Sequence, residues 1–253
     1  MRRDASLSLA VLLAILALWE LASRTGVFHE FILPAPSLIA VALVRLLTAS
    51  FFVEHLSVTL WETLAGFVVG SGLAFTAGVV LHGFPVVNRV AYPYVILFQV
   101  IPKVALAPIF VTWFGFGLTS KVVMAATISF FPTLVNTIVG LASVEEEAVL
   151  LFRSLVARRV QAFFKLALPS ALPYIFAGLK TSLTFAFIGA IVGEFVGANQ
   201  GIGMLVETYN FQLDIPTVFA LIVVLSVIGL GLYLAFEYVD RKVVFWRDID
   251  LRF

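Results

Sequence analysis

The sequence predicts an all-α membrane protein with six transmembrane helices, and three observations carry that prediction. Of 253 residues, 62% are hydrophobic and 12% charged, and the mean hydropathy of +1.09 implies more apolar surface than a soluble fold hides. Six apolar blocks can be drawn, each close to the ~20 residues a helix needs to cross hydrocarbon. Lys and Arg are distributed unevenly between those blocks, as in multi-pass proteins. The alternating ten-residue segments of a membrane barrel are absent.

The first span is expected at 5–23, behind Arg2 and Arg3. Trp19-Glu20-Leu21-Ala22-Ser23 is a poor cleavage site, so this block reads as a retained helix rather than a signal peptide. Leu33-Pro34-Ala35-Pro36 then breaks the chain. Ser37 is expected to cap a short helix with Ile39, Leu43, Leu46 and Leu47 in a stripe beside Arg45, lying along the interface; a seventh crossing is the alternative. The second span, 57–81, contains Gly66, Gly70, Gly72 and Gly78, spaced for close helix packing. The third, 89–112, holds Gln99, Pro102, Lys103 and Pro108, and the fourth, 120–142, holds Asn136. The fifth, 172–197, ends near Glu194, with Gly197, Gly201 and Gly203 suggesting a re-entrant outer loop before the sixth span, 216–239. All of 1–253 reads as one membrane domain.

With the N-terminus inside, eleven of the 16 Lys and Arg fall in inner segments: Arg2, Arg3, Arg89, Arg153, Arg158, Arg159, Lys165, Arg241, Lys242, Arg247 and Arg252. Arg24, Arg45 and Lys121 fall outside, and Lys103 and Lys180 within spans. That bias places both termini in the cytoplasm. The longest inner connection is then 143–171. It opens on Ser143-Val144-Glu145-Glu146-Glu147, which predicts an N-cap at Ser143 and a capping box with Glu146. An amphipathic helix through Leu150, Leu151, Ser154, Leu155 and Arg158 follows, then a second short helix, Gln161 to Leu168, stopped by Pro169. Such a loop either rests on lipid headgroups or serves as a docking surface for a soluble partner.

The net charge of +1 gives no reason to expect nucleic acid. There is no cysteine, and His29, His55 and His82 lack ligand spacing, so no metal site is expected. No G-x4-G-K-[ST] phosphate loop occurs, so any ATP would be bound and hydrolysed by a partner and the chain needs no cofactor of its own. Polar groups at membrane depth are the pathway candidates. Lys103 lies about 21 Å along a helix from Arg89, and lines a path, pairs with an acid, or snorkels to an interface. Gln99, Asn136 and Glu194 join it as weaker candidates.

The stretch "LLFRSLVARRVQAFFKLALPSALPYIFAGLK" resembles the cytoplasmic loop of permease subunits of binding-protein-dependent ATP-binding cassette importers, the nitrate, sulfonate and taurine branch in particular. Their signature reads approximately E-A-A-x3-G-x9-I-x-L-P. Anchored on Leu168-Pro169, it puts Leu166 at the Ile, Val156 at the Gly, and Leu150, Leu151 and Phe152 at the E-A-A triplet. "LPAPS", "TLWETLAGFVVG", "WFGFGLTSKV" and "GEFVGANQGIGML" extend the likeness over nearly the whole chain. The resemblance implies a type I importer permease fold with a coupling-helix loop, in a bacterial cytoplasmic membrane. It also implies two permease copies, paired ATPase subunits and an external solute-binding protein. Glu147, Arg153, Ser154, Leu155, Val156, Ala157, Arg159 and Pro169 are then the expected ATPase-coupling residues. Two positions depart from the pattern. Leu150 replaces the first acid. Val156 replaces a Gly used where the turn takes positive φ, so either the turn is rebuilt or the groove it enters has changed. "IPKVAL" resembles members served by thiamine-pyrimidine-precursor-type binding proteins more than the sulfonate and nitrate permeases, which by analogy favours a small, flat organic solute over an inorganic anion.

Two other classes compete. An ATP-independent secondary transporter or channel predicts inverted internal repeats, and none is convincing here. An intramembrane enzyme needs an acid pair, a His cluster or a Ser-Lys dyad at depth, and no such pattern stands out.

Overall fold

The computed structural model describes residues 2–26 and 31–246; His29, Arg247 and Arg252 lie outside them. Among the described residues the secondary structure is helical, with no strand. The order is α1 (Arg2–Arg24), α2 (Pro36–Leu47), α3 (Phe52–Gly83), α4 (Pro85–Val100), a 3-10 turn (Lys103–Leu106), α5 (Ala107–Phe114) and α6 (Leu118–Ala142). Then come α7 (Glu146–Ser154), α8 (Arg159–Ala162), a π turn (Phe163–Ala167), α9 (Leu168–Phe195), α10 (Ile202–Phe211) and α11 (Ile215–Val243). α3, α6, the continuous run 159–195 and α11 are long and apolar enough to cross a membrane. The pair 85–100 and 103–114 makes a fifth candidate, bent by 79°. The expected 5–23 span falls in α1. At 12 residues, or ~18 Å, α2 is too short to cross, in line with the interfacial expectation.

Contacts gather the chain into two compact units, 1–58 with 199–228 and 59–198 with 229–253. In the first, Ile39, Ala42 and Leu46 of α2 pack with Phe52, Ile202, Leu205, Ala220, Leu221 and Val224. The buried face of α2 is therefore rotated from the expected stripe, since Leu47 is exposed. Ser37 is also not the cap. Ala35 is the N-cap and Pro36 opens the helix, where its missing N–H costs nothing. The Glu20 carboxylate accepts from the Ser37 N–H (3.0 Å) and hydroxyl (2.7 Å), capping α2 from another helix.

In the second unit α6 is central. Gly66, Gly70 and Gly78 of α3 face Ala125, Ala126 with Ser129, and Thr137, so the two helices run parallel. Gly140 faces Ala171 and Tyr174, whereas Gly178, Gly189 and Gly193 of α9 face Asn136, Ala125 and Lys121, so α9 runs antiparallel. Small residues allow the backbones to approach this closely, which is what drives helix association where lipid offers no hydrophobic gain.

Two sequence expectations fail for one reason, proline. The third span is not continuous over 89–112. Pro102 forces Ile101 into extended backbone (φ −56°, ψ 130°), and α4 stops there. In contrast, Pro169 does not stop the helix before it. The Leu168 N–H bonds back to the Phe163 carbonyl, five residues away, and the widened turn lets 159–195 continue through Pro169. Ser143 is no N-cap either. It ends α6, its hydroxyl donating to the Gly140 carbonyl at 2.9 Å, and Glu145 takes the N-cap position of α7.

A Cβ on Gly178 would lie 2.6 Å from Asn136 Cβ and 2.9 Å from the Pro132 carbonyl oxygen, whereas one on Gly72 would meet nothing within 4 Å. Gly178→Leu is expected to destabilise the protein by about 1–3 kcal/mol. Gly72→Leu should be neutral, and thermal unfolding of the two purified variants checks the contrast.

Candidate functional site

α7 ends in a Schellman turn. The Val156 N–H donates to the Arg153 carbonyl and the Ala157 N–H to the Phe152 carbonyl, both at 3.0 Å. That geometry places Val156 in the left-handed region, at φ 52°. The turn is therefore kept, not rebuilt, and a β-branched residue carries a conformation that costs roughly 1–2 kcal/mol without glycine. Val156 is 87% exposed and Leu155 68%, so the strained turn projects apolar side chains outward. The second short helix starts at Arg158, whose N–H is accepted by the Gln161 side chain at 2.9 Å.

The break at Ile101–Pro102 exposes the Gln99 carbonyl, whose helical donor would have been the Lys103 N–H. The Lys103 ammonium takes that place, donating to Gln99 O at 2.8 Å, and it lies 4.6 Å over the Phe131 ring. Among the described residues no carboxylate pairs with Lys103. No residue of α4 is buried within the chain.

A second polar cluster was not foreseen. Glu62 on α3, Lys121 on α6 and Glu194 on α9 are each at most 1% exposed. Glu62, Glu194 and Lys121 interact electrostatically with one another across the three helices. Thr59 donates to Glu194 at 2.7 Å, and Lys121 donates to the carbonyls of Phe116 (2.6 Å) and Gly197 (2.5 Å). Glu62 Oε2 is buried without a hydrogen bond. The cluster ties three helices at the end of the unit opposite the 146–167 loop. It supplies the buried acid pair that an intramembrane enzyme would require, yet its burial leaves a substrate no approach.

The sequence pattern of the binding-protein-dependent transport system inner membrane component family matches residues 66–245. The chain belongs to that family. It is 35% identical over 235 residues, 93% of each chain, to the formylaminopyrimidine transport permease protein of Halalkalibacterium halodurans. To the riboflavin transport system permease protein of Chloroflexus aurantiacus it is 34% identical, over 93% of this chain and 88% of that one. To the taurine transport system permease protein of Escherichia coli the identity is 29%, over 97% and 91%. The inward-facing MetNI methionine ABC transporter superposes with a TM-score of 0.68 at 20% identity, covering 76% of this chain and 96% of that one. The fold is thus that of a type I ABC importer permease, and the chain is a multi-pass transport subunit.

Within this permease the predicted loop residues divide. Leu155 and Val156 form the exposed tip, whereas Arg153, Ala157 and Arg159 line a cavity behind it. Glu147 lies in the first turn of α7, Ser154 bonds its own helix through the Leu151 carbonyl, and Pro169 sits in the first turn of α9. Of the pathway candidates, Lys103 and Gln99 come together at the break. Asn136 bonds its own helix at Pro132 and packs on Gly178, and Glu194 belongs to the buried cluster. Lys180, placed within a span but given no role, pairs with Glu237 at 3.2 Å over the Tyr233 ring. Glu62 and Lys121 escaped the sequence reading because hydropathy assigns their blocks correctly but gives no partner across helices.

Replacing one member of a buried charge cluster strands the others, at about 3–5 kcal/mol. Lys121→Met is expected to lower the melting temperature of the purified permease sharply. Val156→Gly relieves the left-handed strain and should leave the melting temperature equal or higher.

Proposed function

We propose that this permease forms, with a second copy of itself, the translocation path of an ATP-driven importer for a small, flat organic solute of pyrimidine type. It spans the bacterial cytoplasmic membrane six times with both termini inside. Separate ATPase subunits, which bind and hydrolyse ATP, dock on the 146–167 loop, and an external binding protein delivers the solute. The observation that carries the reading is the broken span at Ile101–Pro102. Irregular backbone at membrane depth is tolerated only where protein covers it or water reaches it. No residue of α4 is buried within its own chain, which supports a second copy and a path on that side.

The mechanism is mechanical. Closure of the ATPase dimer pulls the Leu155–Val156 tip, and the run 159–195, continuous through its π turn, carries the displacement into the bundle. Lys103, which pairs with no carboxylate among the described residues, offers a cation and the Phe131 ring a flat face to a passing solute. The two relatives above 30% identity that are named for flat nitrogen heterocycles support the solute class, and the taurine relative supports a sulfonate as the second reading.

Reconstituted with its ATPase and binding protein, the permease should show hydrolysis that rises only when binding protein and solute are both present. Constant hydrolysis would count against coupling. Radiolabelled uptake compared across a formylated aminopyrimidine, riboflavin and taurine identifies the class. Lys103→Ala is expected to lower uptake roughly tenfold, about 1.4 kcal/mol, with the melting temperature unchanged. Leu155→Asp should release the ATPase subunits during gel filtration while the permease stays folded.

A further inference from the structure

Behind the coupling turn the second unit holds an open cavity of about 1010 Å³. Its walls come from the ends of α3 and α6, the start of α4, and the bundle-facing side of the 149–167 segment. Leu141, Phe152 and Phe163 make part of an apolar lining, and the polar members with charge or titratable nitrogen are His82, Arg153 and Arg159. Among the described residues no Asp or Glu lines it. The exposed tip residues Leu155 and Val156 do not line it, so the cavity lies on the face of the loop turned away from a docked ATPase.

We propose that this cavity binds the headgroup and glycerol backbone of an anionic phospholipid from the inner leaflet. This rests on the membrane orientation given above. His82 and Gly83 close α3, and Leu141 and Ala142 close α6, so the cavity sits level with the ends of two spanning helices, where lipid phosphates lie. Two guanidiniums without a competing carboxylate match a phosphodiester, which arginine engages through paired N–H groups. The apolar lining fits the glycerol and first acyl carbons. Beside Pro85 on the cavity wall, Phe84 (61% exposed) and Val86 (79% exposed) continue that surface for the chains. A soluble phosphate uses the arginines and leaves the apolar lining wet; a zwitterionic lipid brings a second, repelled cation. The volume matches ordinary ligand pockets, about 300–1,000 Å³. Lodged there, the lipid fills the space between the coupling helices and the spans, so that the loop pushes on the bundle through a packed layer rather than a void.

The test uses the full-length permease alone, without ATPase or binding protein, so its outcome is independent of importer function. Native mass spectrometry after exchange into nanodiscs of equal phosphatidylglycerol and phosphatidylcholine should show phosphatidylglycerol retained about tenfold over phosphatidylcholine. The paired substitution Arg153→Gln with Arg159→Gln should abolish that preference, and Ala167→Trp, which fills the cavity, should expel both lipids. Equal retention of the two lipids by the unaltered protein overturns the proposal. So does a preference that survives the paired substitution, or displacement of the lipid by millimolar inorganic phosphate. If the paired variant does not fold, the Ala167→Trp result decides alone.

Discussion

The second unit depends on α6 being gripped from two sides at backbone distance. Glycines of α3 meet it in parallel, and glycines of α9 meet it antiparallel, so neither neighbour slides without a collision at several levels. Thr133 adds a buried hydroxyl chain across the three helices, contacting Ser71 at 3.2 Å and Ser182 at 2.8 Å. In hydrocarbon this arrangement has no solvent alternative, because association there comes from packing and hydrogen bonds. The result is a bar of three helices, pinned at one end by Glu62, Lys121 and Glu194 and extended at the other by the 146–167 loop.

That bar explains two oddities at its loop end. The π turn at Phe163–Ala167 preserves helix continuity through Pro169, and a continuous helix transmits displacement where a hinge would absorb it. The Schellman turn at Val156 is held at φ 52° against the side chain's own preference. Its two backbone bonds satisfy carbonyls that α7 would otherwise leave open, and about 1–2 kcal/mol of strain is small against two unsatisfied groups.

The spans were legible because hydropathy over twenty residues is a long, redundant signal. Blocks 57–81, 120–142 and 216–239 fall inside helices Phe52–Gly83, Leu118–Ala142 and Ile215–Val243. The turn after α7 was legible through a spaced signature, whose departure at Val156 marked the residue with positive φ. Single-residue punctuation was not legible. Ser143 and Ser37 carry the same capping chemistry in sequence as true N-caps, and tertiary geometry gave one to the end of α6 and the other to Glu20. The prolines were ambiguous for a similar reason. Pro102 broke its helix and Pro169 did not, because only the second lies where the turn widened to relieve the missing donor.

Lys103 and Lys121 show what sequence reading lacks and a functional argument needs. The sequence placed Lys103 within a span and Lys121 at the outer edge of one, and it gave neither a partner. Lys121 donates to two carbonyls, lies in the field of two buried carboxyls and is itself buried. Lys103 is met by one carbonyl of its own turn and one aromatic face, with capacity left for a ligand. A charge whose donors are saturated by its own protein holds the structure together. One left partly satisfied beside irregular backbone keeps donors free for a ligand, which is the support for the path proposed at Lys103.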